Sequence, residues 1–494
     1  MIRAVAALAV LGAALPAAAQ EAAPASAIPW LSDTIRDRPV PRPRTEEGTS
    51  TPTETAIVTS SLDAPRRDAV GLLPPSLSGI PRDAWAGADA EAVRAAIAAI
   101  PATGPHAMRA LVLRLLVAET DPPVGAAPDA TFLARVDALL ALGALDRAQA
   151  LLERAGPTDP ETFRRWFDAG LLTGVDARAC EAMGAHPELS PTLPARIFCL
   201  TRTGDWVAAA LALDTAAALD LVDPEEELLV ARFLDPELFE GEPSPPVPDP
   251  LTPLAYRLLD GIGEAPDTRA LPLAFANADL RMEVGWKAQI EAAERLVRAG
   301  ALDAERLWGL YAERRPSASG GVWERAAAVQ RLDAAVLTGD AGTVAAALPR
   351  AVAEMERARL LVPFAARYGP RLARLDLPRA AAQQAARLGL LSRAPGDHAD
   401  APALLPNERL ARAVARDAPI DPPPGLLLAA VAEGLWGAPV APEGGVGLAI
   451  LRAATALADG GEAPPGAVEA ALKALRGAGL EADAKRLALE LLLA

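Results

Sequence analysis

Histidine, cysteine, lysine and aromatic side chains are all scarce in this 494-residue chain, and each shortage removes a class of function. Three histidines, His106, His186 and His398, lie far apart in sequence, so an imidazole-based catalytic or metal centre is not expected. Two cysteines and one nearby histidine, His186, do not make four ligands, so a zinc site is not expected. Only three lysines occur, Lys287, Lys473 and Lys485, and no block of basic residues stands out. The net charge is −16, and an acidic surface repels phosphate backbones and anionic membranes, so no nucleic-acid partner is expected. Nucleophile elbows, P-loops, H-E-x-x-H helices and paired C-x-x-C motifs are missing. The clusters Gly261-Ile262-Gly263 and Gly444-Gly445-Val446-Gly447 follow no strand pattern, so a dinucleotide site and a cofactor are not expected either. Val and Ile seldom alternate with polar residues, which argues against a large sheet.

What is abundant is Ala, Leu and Arg, all strong helix formers. The first twenty residues, MIRAVAALAVLGAALPAAAQ, carry Arg3, an apolar run from Ala4 to Leu15, and Ala17-Ala18-Ala19 as a cleavage signal. This pattern predicts a secretory signal peptide over 1–19, with the mature chain starting at Gln20. No cysteine follows that site, which argues against a lipid anchor, and no later stretch suits a membrane span. The expected compartment is a bacterial periplasm. Cys180 and Cys199, on consecutive predicted helices, are then expected to form a disulfide. Closing a loop of that size stabilises by roughly 3 kcal/mol on chain-entropy reasoning.

Residues 20–85 are expected to be a flexible tail, since Pro39 to Thr55 is rich in Pro, Thr and charge and poor in large apolar groups. Two apolar islands interrupt it, around Trp30 and around Leu72. Trp30 either tacks the tail to the body or anchors a partner. Helical patterning begins with Asp89 as a helix cap. Residues 86–238 are predicted as one helical-repeat domain, 239–250 as a proline-rich linker with five prolines between 243 and 250, and 251–494 as a second, less regular helical domain. The Ser392 to Leu405 stretch is expected to be an exposed loop.

Within the first domain three glycines recur at nearly equal spacing, Gly143, Gly174 and Gly204, 31 and 30 residues apart. Gly143 is followed by Leu145, Ala148, Leu152 and Ala155; Gly204, at the same offsets, by Trp206, Ala209, Leu213 and Ala216. Gly174 carries a weaker copy, Asp176, Ala179, Met183 and His186. A fixed period of this size marks stacked helix hairpins, an architecture that binds rather than catalyses. With Phe132, Val136, Leu139 and Pro160 in the first unit and Leu193, Ile197 and Leu200 in the third, residues 129–221 resemble the tetratricopeptide-repeat superfamily. The period of 30 to 31, rather than 34, departs from that pattern. The resemblance implies an all-α solenoid of stacked antiparallel hairpins whose groove holds a peptide or protein. It places Arg164, Asp168 and Phe198 as candidate groove residues, in positions where some members carry a Lys and Asn carboxylate clamp that is not evident here. The Ala- and Leu-rich helical character is also similar in class to the superhelix of soluble lytic transglycosylases, but their catalytic Glu-Ser pairing and Met-Gln motif are missing. The expectation is therefore a non-catalytic periplasmic interaction scaffold with an envelope protein or peptide as partner. The alternative is an enzyme or enzyme-associated subunit acting on envelope polymers such as peptidoglycan.

Overall fold

A computed structural model describes Ile28, Trp30, Leu31 and residues 67–398 and 405–494 of the chain. The predicted signal peptide, the Pro39 to Thr55 stretch and most of the tail lie outside the described residues. The described chain is all-α, with 22 α-helices joined by short turns and 3-10 segments. Among the described residues the only β pairing is two isolated bridges, Leu73 with Ala118 and Asp89 with Val124. None of the described helices is long and apolar enough to cross a membrane.

Local rules account for the helix boundaries. Asp159 accepts from the N–H groups of Glu161 and Thr162 at the start of Pro160–Thr173, with Pro160 at the first helical position. Thr192 caps Leu193–Arg202 and Asp205 caps Trp206–Ala218 in the same way. The three periodic glycines all adopt a left-handed backbone, with φ of 74°, 79° and 86°. The period seen in the sequence is thus a period of left-handed turns that only glycine accepts cheaply.

Packing is mostly between successive helices, in two arrangements. The first is an arm. Pro160–Thr173, Ala177–Ala185, Leu193–Arg202, Trp206–Ala218 and Pro224–Leu234 stack in order, and Pro253–Gly261 then returns to pack on Pro160–Thr173. The disulfide sits in this arm and joins Cys180 to Cys199, with Cα atoms 5.0 Å apart. The second arrangement is a circuit. From His106–Leu116 it passes through Ala130–Ala141, Leu273–Leu280, Trp286–Arg298, Ala304–Glu313, Gly321–Thr338, Ala341–Arg357, Arg379–Leu390 and Pro406–Arg416. The last helix, Glu481–Leu493, then packs against His106–Leu116 and closes it.

Two features differ from the sequence expectation, and a third gives a role to one of its glycine clusters. The ordered body begins by Arg67 rather than at residue 86. Asp68 is buried and its carboxylate accepts from the N–H groups of Asp129 and Phe132, capping Ala130–Ala141. Leu72 and Leu73 bond to the Val117 carbonyl, and Trp85 donates to Thr120 at 3.2 Å. Second, one apolar core runs through both sides of the proline-rich segment. Gly143 shows why: a Cβ there would lie 2.9 Å from Leu273 and 3.0 Å from Leu296, so the second half docks on the turn of the first repeat. Asn277 adds a 3.0 Å hydrogen bond to the Gly143 carbonyl. Third, the Gly444 to Gly447 cluster is a packing device. The Gly445–Ala456 helix approaches so closely that a Cβ on Gly447 would lie 2.3 Å from the Trp85 ring. The Gly447 N–H donates to the Ala84 carbonyl at 2.8 Å.

Candidate functional site

The residues singled out in the sequence lie inside the fold rather than on an open groove. Trp30 is buried edge-to-face against Phe275, with ring centroids 5.7 Å apart, and Ile28 and Leu31 are buried beside it. The island therefore packs on the chain's own body. Phe198 is buried and packs on Phe233 at 5.8 Å. Arg164 is buried and pairs with Glu161 at 3.2 Å, and Asp168 is wholly buried. The reason is the closure just described. Pro160–Thr173 is covered by its hairpin partners and again by Pro253–Gly261 and Leu273–Leu280, so it keeps no concave face. These three positions are corrected from groove residues to core residues. His186 is exposed beside Glu188, while His398 is buried against Gly389. Ser392 and His398 are both buried, so the start of the predicted 392–405 loop lies against the body; residues 399–404 lie outside the described residues. Asp176, the polar intruder of the second repeat, is wholly buried and faces Arg202 of the next helix at 2.9 Å.

The candidate site is instead a hollow lined by helices of the circuit. It consists of two adjoining chambers of about 900 and 1150 Å³ that share His106, Val362, Pro363 and Glu490 in their walls. Glu490 belongs to the last helix and accepts from the backbone N–H groups of His106 at 2.5 Å and Ala107 at 2.7 Å. Those N–H groups open the His106–Leu116 helix, where no proton-accepting cap precedes them because residue 105 is proline. A carboxylate there also meets the positive end of the helix dipole. One side chain thus caps the first helix of the circuit with the last. Arg114 to Asp483, at 2.6 Å, is a second tie across the same seam. Burial raises the Glu490 carboxyl above the usual range, against the opposing pull of the two N–H groups and Arg109. Burial, with Arg109 adding to it, pushes the His106 imidazole down to about 4.

The chambers differ in how their charges are met. In the smaller, Arg367 pairs with Glu305 at 2.7 Å, and Asp483 takes both Arg114 and Arg486. In the larger, six arginines converge: Arg109, Arg295, Arg298, Arg357, Arg359 and Arg387. Arg387 meets Glu356 at 2.6 Å and Arg357 meets Glu354 at 2.8 Å. Arg295 donates only to the carbonyls of Thr268 and Leu271, and Arg298 donates to that of Ala358. Arg298 also lies 4.0 Å from Glu294, and Asp279 and Asp267 act on Arg295 from nearby, so both guanidiniums are partly balanced. Among the described residues no group of three or more His, Cys, Asp or Glu is placed to hold a metal ion.

Sequence reasoning missed this site because its residues come from stretches scattered between 102 and 494, with no motif linking them. The available signal was slight: Arg295 and Arg298 share a helix face at i, i+3, and Arg357 and Arg359 flank a helix end. Comparison with known proteins adds no assignment: no family model, curated protein or solved structure matches the chain.

Proposed function

We propose that this chain is a non-catalytic interaction scaffold of the cell envelope, built on tetratricopeptide-like hairpins, that holds a segment of a partner protein in this hollow. The observation that supports this reading best is the pair of adjoining chambers lined from at least six helices. Concave hollows between packed helices are where such folds take their ligands. The volume of the larger chamber exceeds the roughly 300–1,000 Å³ usual for small-molecule sites, which suits a stretch of chain. The disulfide fits an oxidising compartment and so agrees with periplasmic export.

The test is site-specific photocrosslinking in living cells. A crosslinker at Ala366, in the smaller chamber, is compared with one at Val207, exposed on the arm. Both are placed in the full mature chain. The expected result is a discrete protein adduct from Ala366. Adducts from Val207 alone would move recognition to the arm and overturn the reading. Turnover of peptidoglycan by the purified chain would instead favour the envelope-polymer enzyme alternative.

A further inference from the structure

We infer that the larger chamber is a receptor for an acidic peptide segment, an inference that rests on the scaffold reading and names the chemistry of its partner. The charge balance of the chamber is opposite to that of the molecule. The chain carries −16 overall, yet this chamber gathers six arginines. Two are neutralised by Glu356 and Glu354. Arg298 lies 4.0 Å from Glu294, a carboxylate that Arg325 already grips with two 2.7 Å hydrogen bonds. Among the described residues Arg295 has backbone carbonyls only as hydrogen-bond partners, with Asp279 and Asp267 the carboxylates acting on it from nearby. Arg109 and Arg359 make no hydrogen bond or ion pair through their side chains among the described residues, and the Arg109 Nε is buried without a partner. On the acidic side, Glu490 is committed to the His106 helix, leaving Asp459 and Glu462.

Arg359 adds an independent observation. Its backbone sits at φ 55°, just past the end of Ala341–Arg357, in the left-handed region that usually takes glycine at a helix end. An exposed arginine is held there at a conformational cost, facing the chamber. Arg109 is likewise disfavoured as it stands. Burial pulls its guanidinium below the usual arginine range, Glu490 opposes this, and neighbouring Arg298 adds to it. An anion between Arg109 and Arg298 would relieve both their desolvation and their repulsion.

The occupant is a chain rather than a lone inorganic anion because of size and wall chemistry. The chamber is about 1150 Å³, its cations come from separate stretches of chain, and Leu361, Val362, Pro363 and Leu491 provide apolar wall between them. Spaced carboxylates on an aliphatic-rich backbone match that alternation. A single phosphate would engage one or two guanidiniums and leave the rest unmet.

The experiment measures fluorescence anisotropy of a labelled six-residue glutamate peptide with the purified mature chain. A six-residue serine peptide and inorganic phosphate serve as comparison probes. Saturable binding of the glutamate peptide is expected, weakening as salt rises. Arg109→Gln and Arg359→Gln are each expected to weaken it about tenfold. Arg359→Gly separates binding from folding. It suits the left-handed backbone, so it is expected to melt no lower than the parent while losing the same tenfold. Unchanged affinity in Arg359→Gly overturns the site. Equal binding of the serine peptide overturns the acidic preference but leaves the scaffold reading standing. Saturation by phosphate without any peptide binding also overturns the proposal. Absence of a chamber adduct in cells, by contrast, counts against the scaffold reading itself.

Discussion

The arm and the circuit are built from the same hairpins but by different rules. In the arm, Trp206–Ala218 packs chiefly on the helices before and after it, and Trp206, Val207, Leu211 and Leu219 stay exposed. Its contacts are local, and its regularity shows in the sequence as a glycine period. The circuit joins residues hundreds of positions apart, and polar side chains close it: Glu490 on the His106 helix and Arg114 on Asp483. Local repetition can be distributed evenly, so losing one unit weakens a solenoid in proportion. A closed circuit depends on a few junctions, so its breakage is concentrated there. The largest expected effects therefore fall on circuit junctions.

Arg135 is the sharpest such junction. It is wholly buried and donates to the carbonyls of Leu116 at 2.8 Å, Ala118 at 2.9 Å and Asp68 at 3.2 Å. Burial pushes it down to about 10, still cationic at neutral pH. Arg135→Leu strips three buried acceptors of their donor, and a loss of about 4 kcal/mol is expected in urea unfolding. A variant within 1 kcal/mol of the parent would show that water replaces the guanidinium and that the junction is not needed.

The arm's counterpart is its disulfide. Replacing Cys180 and Cys199 by serine frees a loop with a sequence separation of 19. A loss of about 3 kcal/mol is expected. Because the arm's contacts are local, the loss should appear as an earlier, separate step in thermal unfolding, leaving the circuit's transition in place. A single shifted transition would mean that arm and circuit unfold together, and the distinction drawn here would fail.

Gly143 and Gly204 compare the two regions at matched positions of one repeat. Both need a left-handed backbone, so alanine costs about 1 kcal/mol at either. At Gly204 a Cβ meets nothing within 4 Å, whereas at Gly143 it meets Leu273 and Leu296 of the circuit. Gly143→Ala is therefore expected to cost about 1–3 kcal/mol more. Equal costs would mean that the docking of the second half has slack that the packing does not show.

The legibility of the fold follows the same division. Helices, their caps and the glycine turns were readable because each depends on neighbours within a few residues. The disulfide was readable because its two cysteines sit on consecutive helices. Arg164, Asp168 and Phe198 were misplaced because a repeat motif specifies the hairpin and not what later folds onto it. For Trp30 the sequence left docking and partner binding both open, because Phe275, which receives it, lies far along the chain; the packing of the 67–85 stretch on Ala130–Ala141 escaped for the same reason. The chamber arginines carry no spacing at all, since burial, and not sequence neighbourhood, brings them together.

The seam where the circuit closes should be the part most sensitive to acid. His106 titrates at about 4 in the folded chain against an ordinary 6.5, chiefly because of burial. Its folded value is lowered, so between pH 6.5 and 4 the unfolded chain holds a proton that the folded chain does not. Stability from this group is complete above about 6.5 and declines as the pH falls toward 4. Glu490 works in the other direction, because its raised carboxyl takes up a proton sooner in the folded chain than in the unfolded one. Its proton uptake opposes the His106 effect without changing that effect's sign. Melting temperature followed from pH 7 to pH 4 should therefore fall, and His106→Gln should flatten that fall without changing the neutral-pH value much. The arm contains no comparable buried histidine, since His186 is exposed, so His186→Gln should leave the profile unchanged. If the two substitutions flatten the profile equally, the acid response belongs to the general charge of the chain and not to the seam.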